Sequence, residues 1–414
     1  MLLKVVAPEA PASETAPFRE RRVRVAFIGH CAQLSGAELA LARLLPALSD
    51  VEARVVLAED GPLVRRLREC GVTVDVLPLA EEVRALPRHR VGWRAMTPAV
   101  LGQWVSYVLR LARWLRQVEP DLVHTTSLKA HLYGGLAARL AGLPLVWHVH
   151  DRVAPDYLPK PAVRLVRLAG RWLPHAIVAN SHATLAMLGR GSRLRPHHAR
   201  AVIGCPVQPG RPRQDHPRLR IGMVGRLTHW KGQHVFLQAL AQAFSNARAE
   251  GDGSWEAVIV GAPMFGEHEY ERELRRLTEE LGLDGRVRFL GFCEDVEEEL
   301  AAMDVLVHAS VIPEPFGQVV VEGMAAGLPV IATDSGGPAE VIAHDITGLL
   351  VPPGAPTALA AALRRLASDP ELRERLGRAA RDASKAFTAP VIASQVRDLY
   401  RCVLEHRVTV RSAA

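Results

Sequence analysis

Apolar residues gather in short runs such as Val23-Arg-Val-Ala-Phe-Ile-Gly29, and between the runs they recur every three or four positions. The runs predict buried strands and the spaced stretches predict amphipathic helices. Strands are expected at Val23–Gly29, Arg54–Ala58, Val72–Leu77, Asp121–Thr125, Leu145–Val149, Ala176–Ala179 and Ala201–Ile203. Helices are expected at Gly36–Leu48, Leu63–Cys70 and Ala130–Ala141, with a long one ending near Val118. This alternation makes a parallel sheet with right-handed crossovers. After the proline-rich stretch Pro206–Pro217 the rhythm restarts. Strands at Leu219–Val224, Ala257–Val260, Val287–Leu290, Val305–His308 and Val330–Thr333 alternate with helices at Gln233–Phe244, Glu267–Leu281, Val296–Met303 and Gln318–Ala326. Two helical segments, Thr357–Leu366 and Ala389–His406, follow.

The expected fold class is therefore α/β, with two Rossmann-like, doubly wound parallel-sheet domains facing a cleft. A flexible arm is expected over 1–20, a first domain over 21–207, a linker over 208–217 and a second domain over 218–388. The segment 389–414 is expected to form a C-terminal helix that returns to the first domain. A chain of 414 residues is long enough for two separate cores.

Ligands of parallel sheets lie beyond the carboxyl ends of the strands, so polar motifs at those ends come first. One is Glu314-Pro-Phe-Gly-Gln-Val-Val-Val-Glu322. Pro313 and Pro315 disfavour helix around Glu314, which puts that carboxylate on a loop, while Gln318–Ala326 begins a helix carrying Glu322. Glu322 is then placed to accept hydrogen bonds from a diol. The N–H groups of Gly317, Gln318 and Val319 are the open donors of the helix start and suit anionic oxygens. An isolated pair of glutamates is more often solvated surface, but the apolar, glycine-rich surroundings here are not a surface context. A second motif, Gly225-Arg226-Leu-Thr-His-Trp-Lys231-Gly232, follows the first strand of the second domain. Arginine grips two phosphate oxygens in a fork and lysine adds a mobile point charge. Lysine stands here in a chain where only five of 51 basic residues are lysine.

Together these blocks resemble the donor-site signature of the retaining glycosyltransferases of family 4, which have the GT-B fold. The resemblance rests on Glu314 and Glu322 with Phe316-Gly317 between them, on the Gly-Leu-Pro-Val-Ile-Ala-Thr-Asp-Ser-Gly-Gly that follows, and on the Gly225–Gly232 segment. It implies transfer of a sugar from a nucleotide diphosphate sugar, UDP- or GDP-linked, to an unidentified acceptor. It further implies a front-face mechanism and no required cofactor or metal. Arg226 and Lys231 would hold the leaving diphosphate, with Phe316, Gly317, Gln318, Val319 and Glu322 binding the donor and Glu314 catalytic. Removing Lys231 is expected to abolish turnover with the fold intact. Base recognition is expected in the loop Gly291–Glu294.

In the first domain, Ser35-Gly36-Ala-Glu38 resembles the family's Gly-Gly-Ala-Glu loop, with serine replacing the first glycine. Close backbone approach to a diphosphate is then assured at Gly36, and Ser35 with Glu38 also reads as a capping box. Period two puts His148 and His150 on one face of their strand. By the resemblance His150, nearer the carboxyl end, is the catalytic histidine beside the donor sugar. A His-x-His metal pair completed by Asp151, or a buried structural role for His148, are the other readings. Ser127 and Lys129 open a helix after the fourth strand, where they would bind the acceptor or simply cap the helix.

The formal charge of +7 suits anionic partners, yet no nucleic-acid motif accompanies it. Gly92–Arg116 and Pro161–Leu173 interleave arginines with tryptophan and aliphatic residues, so peripheral association with an anionic membrane is a second expectation. The five cysteines are scattered, and no run approaches the roughly 18 apolar residues of a membrane span. The expected location is the cytoplasm, including the inner face of the membrane; oligomeric state is left open. Two further readings share this architecture: a non-hydrolysing sugar-nucleotide epimerase and a non-catalytic two-lobed binding protein.

Overall fold

The computed structural model describes residues 22–81, 97–189, 199–214, 216–244, 255–264 and 266–412, with side chains as far as Glu405. The arm expected over 1–20 lies outside them, as does Trp93. Two compact units emerge. One ends at Pro206 and is joined by the segment from Ala389; the other is Val207–Thr388.

The first unit holds strands β1 (Val23–Ile28), β2 (Val51–Leu57), β3 (Thr73–Val76), β4 (Leu122–Thr125), β5 (Leu145–Val149), β6 (Ala176–Ala179) and β7 (Ala199–Val202). All pair in parallel in the order β3-β2-β1-β4-β5-β6-β7. Its helices are α1 (Gly36–Leu44), α2 (Pro62–Glu69), α3 (Pro98–Val118), α4 (Leu128–Leu140), α5 (Lys160–Trp172) and α6 (His182–Met187). Helix α1 stops short of the expected Leu48 because Pro46 tightens the chain into a 3-10 turn, Leu45–Ala47. Ile28, Val123, Trp147 and Val149 face Tyr107 and Leu111 of α3 and Tyr133 of α4 in one core. Alternation turns Phe27, His124 and His148 to the opposite face, where the Phe27 and His124 rings lie 5.0 Å apart.

The second unit holds β8 (Leu219–Val224), β9 (Trp255–Val260), β10 (Val287–Gly291), β11 (Val305–Val307), β12 (Val330–Thr333) and β13 (Leu349–Val351). They pair in parallel in the order β10-β9-β8-β11-β12-β13. Its helices are α7 (Gln233–Phe244), α8 (His268–Glu280), α9 (Val296–Ala301), α10 (Gln318–Ala326), α11 (Gly337–Val341), α12 (Pro356–Ser368) and α13 (Pro370–Ser384). Ala257 and Ile259 enter the core with Phe236, Leu240 and Leu363. Val258 and Val260 enter the other, with Met303, Val320 and Met324. The sheet is thus apolar on both faces, as continuous apolar strand runs require. Strand order reverses between β1 and β4 in one unit and between β8 and β11 in the other.

Helix α14 (Ala389–Ser412) belongs to the first unit. The stretch read as a linker is not free. Val207 N–H donates to Phe387 O at 2.9 Å and Gln214 N–H to Ala301 O at 2.8 Å. Arg211 reaches Asp295 at 2.6 Å, and Arg213 pairs with Asp304. Its prolines break regular structure, but its arginines find acids of the second unit and strap the segment there.

Candidate functional site

In the second unit the residues of interest stand at the reversal of strand order, where two neighbouring strands send their following loops to opposite sides. Strand β8 leads into Gly225–Gly232 and β11 into His308–Glu314. Gly232 has φ +79°, and a Cβ there would lie 2.0 Å from Ala309 O. Only glycine lets the two loops meet this closely.

The meeting brings Lys231 Nζ to 2.5 Å from Oε1 of Glu314. The second carboxylate oxygen accepts from His308 Nε2–H at 2.5 Å and from the Ser310 hydroxyl at 2.9 Å. Thr333 Oγ1, at the end of β12, lies 3.3 Å from Nδ1 of His308. Glu314, His308, Ser310 and Thr333 are all buried. Burial alone would push the Glu314 carboxyl up, but the Lys231 ammonium and then His308 outweigh it and hold the group well below the usual carboxylate range. Glu314 is therefore an anion whose two oxygens are both engaged.

The loop carrying Glu314 is pinned from behind. Gly337 N–H donates to Glu314 O at 2.8 Å. At Gly336, with φ +67°, a Cβ would fall 2.3 Å from that same oxygen. The glycine pair thus approaches the Glu314 backbone.

Arg226 completes a cationic edge. Its Nε is 3.3 Å from Oε2 of Glu267, whose other oxygen accepts from Thr228 Oγ1 at 2.5 Å. The Trp230 ring lies by both cations, 6.0 Å from the Arg226 guanidinium and 4.7 Å from Lys231 Nζ. Helix α10 begins at Gln318 with Gly317 at φ +80° as its N-cap, and the first N–H groups of such a helix have no intrahelical acceptor. Glu322, one turn on, accepts from Gln318 Nε2 at 3.1 Å. The Phe316 ring is buried and lies edge-on to Phe387, 5.7 Å away. Val319 likewise turns its side chain into the core, leaving only its backbone for a ligand.

In the first unit, Gly36, Ser127 and His150 follow β1, β4 and β5. Ser35 occupies the N-cap position of α1, but its hydroxyl donates to the Glu38 carboxylate and caps no backbone N–H, so the two residues of the expected capping box meet side chain to side chain. Ser127 occupies the N-cap position of α4 without a cap bond, and its buried Oγ has no partner among the described residues. Lys129 is partly exposed. The His150 ring lies 4.0 Å from that of His148, and Nδ1 lies 3.7 Å from Cys205 Sγ. Burial pushes the His150 imidazole down to about 4. As for a His148, His150 and Asp151 metal site, no group of three or more His, Cys, Asp or Glu among the described residues could hold a metal ion.

The model for glycosyl transferases group 1 matches residues 208–383, and that for glycosyltransferase family 4 matches residues 62–211. A D-inositol 3-phosphate glycosyltransferase of Streptomyces avermitilis is 31% identical over 348 residues, spanning 77% of this chain and 71% of the relative. The chain belongs to the family 4 glycosyltransferases. A GDP-mannose-dependent alpha-mannosyltransferase of Mycobacterium tuberculosis is also 31% identical to it, over 72% of this chain and 78% of the relative. Among solved structures, Anabaena Alr3699/HepE in complex with UDP and glucose overlays with a TM-score of 0.77 at 28% identity, over 92% of this chain and 99% of that one. The fold of this family 4 glycosyltransferase is accordingly GT-B, and the epimerase and binding-protein readings find no support in these matches.

Sequence reasoning picked out Lys231, Glu314 and Arg226 but missed what surrounds them. His308, Ser310 and Glu267 carry no motif of their own, and Thr333, inside the Gly327–Gly337 segment, was not singled out. One signal was available: His308 and Ser310 are polar residues directly beyond a fully apolar strand, at its carboxyl end.

Proposed function

We propose that this glycosyltransferase moves a sugar, with retention at the anomeric carbon and without a metal, from a nucleotide diphosphate sugar to an acceptor hydroxyl. The observation that carries the reading is the contact between Lys231 and Glu314 beside Arg226 at the reversal of strand order. Lys231, Arg226 and the N–H groups of Gln318 and Val319 form a positive edge suited to the charge that builds on a departing diphosphate. Glu314 is less suited to nucleophilic attack, because Lys231 occupies one of its oxygens and His308 and Ser310 the other. Its role is to hold Lys231 in place and to offset positive charge developing on the sugar. With both Glu314 oxygens engaged, the acceptor oxygen bonds C1 from the face the phosphate leaves, and its proton passes to the departing phosphate oxygen. Glu322 is proposed to receive sugar hydroxyls, Gly36 to bring backbone to the diphosphate, and His150, neutral near pH 7, to bond a sugar hydroxyl.

UDP and GDP sugars are the candidate donors, in line with the UDP complexes of the Anabaena protein and the GDP-mannose dependence of the mycobacterial relative. The loop from Gly291, which exposes Phe292, is proposed to read the base. The acceptor, a saccharide, a lipid-linked sugar or a small molecule, is assigned to the side of Ser127 and Lys129. Thermal unfolding with UDP, GDP, ADP and TDP tests the donor. A nucleotide at a hundred times its Kd adds about 2.7 kcal/mol, and a flat response to all four would sink the reading.

We further propose that the enzyme works at the cytoplasmic face of an anionic membrane. Support comes from α5, where Leu165, Leu168 and Trp172 are 52%, 53% and 56% exposed and Lys160, Arg164 and Arg171 are exposed among them. Leu101, Val105 and Leu109 add an exposed stripe on α3. Of the aromatics on α3, Tyr107 is buried and Trp114 donates to Asp75 at 3.0 Å, so the support on this helix is aliphatic. No helix of the described residues is long and apolar enough to cross a membrane.

A further inference from the structure

Away from the cationic site, side chains of three elements form a line through the first unit. The hydroxyl of Tyr400 on α14 lies 2.6 Å from Nδ1 of His124 on β4. Nε2 of His124 lies 3.2 Å from Nδ1 of His148 on β5. His148 in turn lies against His150, with ring centroids 4.0 Å apart and a tilt of 33°. Tyr400, His124 and His148 are buried. Burial pushes His124 down to about 3 and His148 well below its ordinary value, in each case helped by the neighbouring imidazoles. The rings are neutral near pH 7, each with one N–H and one lone pair.

Neutral rings leave two orders for the protons. If the Tyr400 O–H donates to Nδ1 of His124, that ring carries its proton on Nε2 and donates to Nδ1 of His148, which then holds its own proton on Nε2. In the reverse order His148 donates to His124 and His124 to Tyr400. The phenol hydrogen is then left without an acceptor among the described residues, and Nε2 of His148, buried and unpartnered among them, becomes a bare lone pair. The first order strands one polar group and the second strands two, and a buried polar group left without a partner is costly. The first is the stable one. At the far end, the Cys205 thiol can donate to Nδ1 of His150 and leave its Nε2–H outward-facing in the bonding sense, as a donor.

We propose that Tyr400 is a positioning residue for sugar transfer: through His124 and His148 it fixes the tautomer and plane of the ring on which His150 rests, and so the bond His150 offers to the donor sugar. The inference rests on the assignment of His150 to the sugar made above. The residue responsible sits 276 positions beyond His124, on the helix that follows the second unit in sequence.

The test titrates the full-length protein and its Tyr400→Phe and His150→Ala variants with UDP and UDP-glucose, or with GDP and GDP-mannose if the native protein binds that pair. It also records long-range nitrogen-15 spectra of the histidines without ligand. Tyr400→Phe is expected to weaken the sugar nucleotide about fivefold, less than the loss of a full hydrogen bond, and to leave the bare nucleotide unchanged. In the spectra His124 and His148 are expected to pass from a single Nε2–H tautomer to mixtures. Unchanged tautomers, or unchanged sugar-nucleotide affinity in Tyr400→Phe while His150→Ala loses it, overturn the proposal. If His150→Ala binds the sugar nucleotide as the native protein does, it is the assignment of His150 that fails. His124→Gln breaks the same line one residue nearer and supplies the reading should Tyr400→Phe not fold.

Discussion

Lys231 Nζ and Glu314 Oε1 lie 2.5 Å apart although 83 positions separate them in sequence, and their side chains are only 14% and 11% exposed. This burial changes the expectation that Lys231 can be removed with the fold intact. Lys231→Ala leaves a buried carboxylate with His308 and Ser310 but no cation, a change that costs about 3–5 kcal/mol. Denaturant unfolding should show that loss, and turnover should fall at least about a hundredfold. Combining Lys231→Met with Glu314→Gln should restore much of the stability and none of the activity. A Lys231→Ala protein as stable as the native one would contradict the buried pair.

Glu267 gives a contrasting case. Its contact with Arg226 is 3.3 Å long and about 30% exposed, so Glu267→Gln should cost less than about 1 kcal/mol of stability. Arg226 would nonetheless lose its orienting partner. Nucleotide affinity, read by titration calorimetry, should drop about three- to tenfold. An unaltered Kd would remove Glu267 from the site.

Gly336→Ala combines a left-handed backbone with a steric clash, since the added carbon would meet Glu314 O at 2.3 Å. The backbone at φ +67° and ψ −145° alone costs about 1–3 kcal/mol, and the remainder must come from moving the Glu314 loop. The variant should melt lower and lose the stabilisation that nucleotide confers. A normal nucleotide-dependent shift would mean that the loop tolerates displacement.

Acid should weaken the first unit early. His124 and His150 are lowered to about 3 and about 4, and His131 and His148 also fall well below their ordinary value, all chiefly through burial. In the unfolded chain these groups protonate near 6.5, so between about pH 6.5 and pH 4 the unfolded state binds more protons and stability falls as pH falls. The slope is about 1.4 kcal/mol per pH unit for each imidazole. The Glu314 contribution is present above the ordinary carboxylate range and is lost only as pH falls below it. Unfolding midpoints at pH 7.5 and 5.5 should therefore differ strongly; equal midpoints would refute neutral, buried histidines.

Leu168→Glu together with Trp172→Glu reverses the character of the exposed face of α5 while touching no buried side chain. Sedimentation with phosphatidylglycerol vesicles at low salt should pull down the native protein and leave the double variant in solution. Retention of both in the supernatant would dismiss the membrane proposal.

The sequence made the two parallel sheets legible because their strands are continuous apolar runs, as in Val23–Ile28 and Val330–Thr333. Strand β13, Leu349–Val351, was not among the expected strands, and α13 was not read because its buried stripe of Leu372, Leu376 and Ala380 is narrow within an arginine-rich segment. Lys231, Arg226 and Glu314 were readable from their glycine- and proline-marked loops. The support of Glu314 by His308, Ser310 and Thr333 was not, because it depends on which strands become neighbours: β11 lies between β8 and β12, a relation that no local spacing encodes. The same holds for His124 and Tyr400.

Helix α14 completes a unit that the chain begins hundreds of residues earlier. During synthesis, β1 to β7 leave the ribosome first, yet Tyr400 follows only after all of Val207–Thr388 has been made, a wait of about 10 to 40 s at typical bacterial or eukaryotic elongation rates. Through that interval the His124 imidazole has no phenol to meet. Until α14 arrives, His124 lacks the hydroxyl that orders its tautomer in the finished protein.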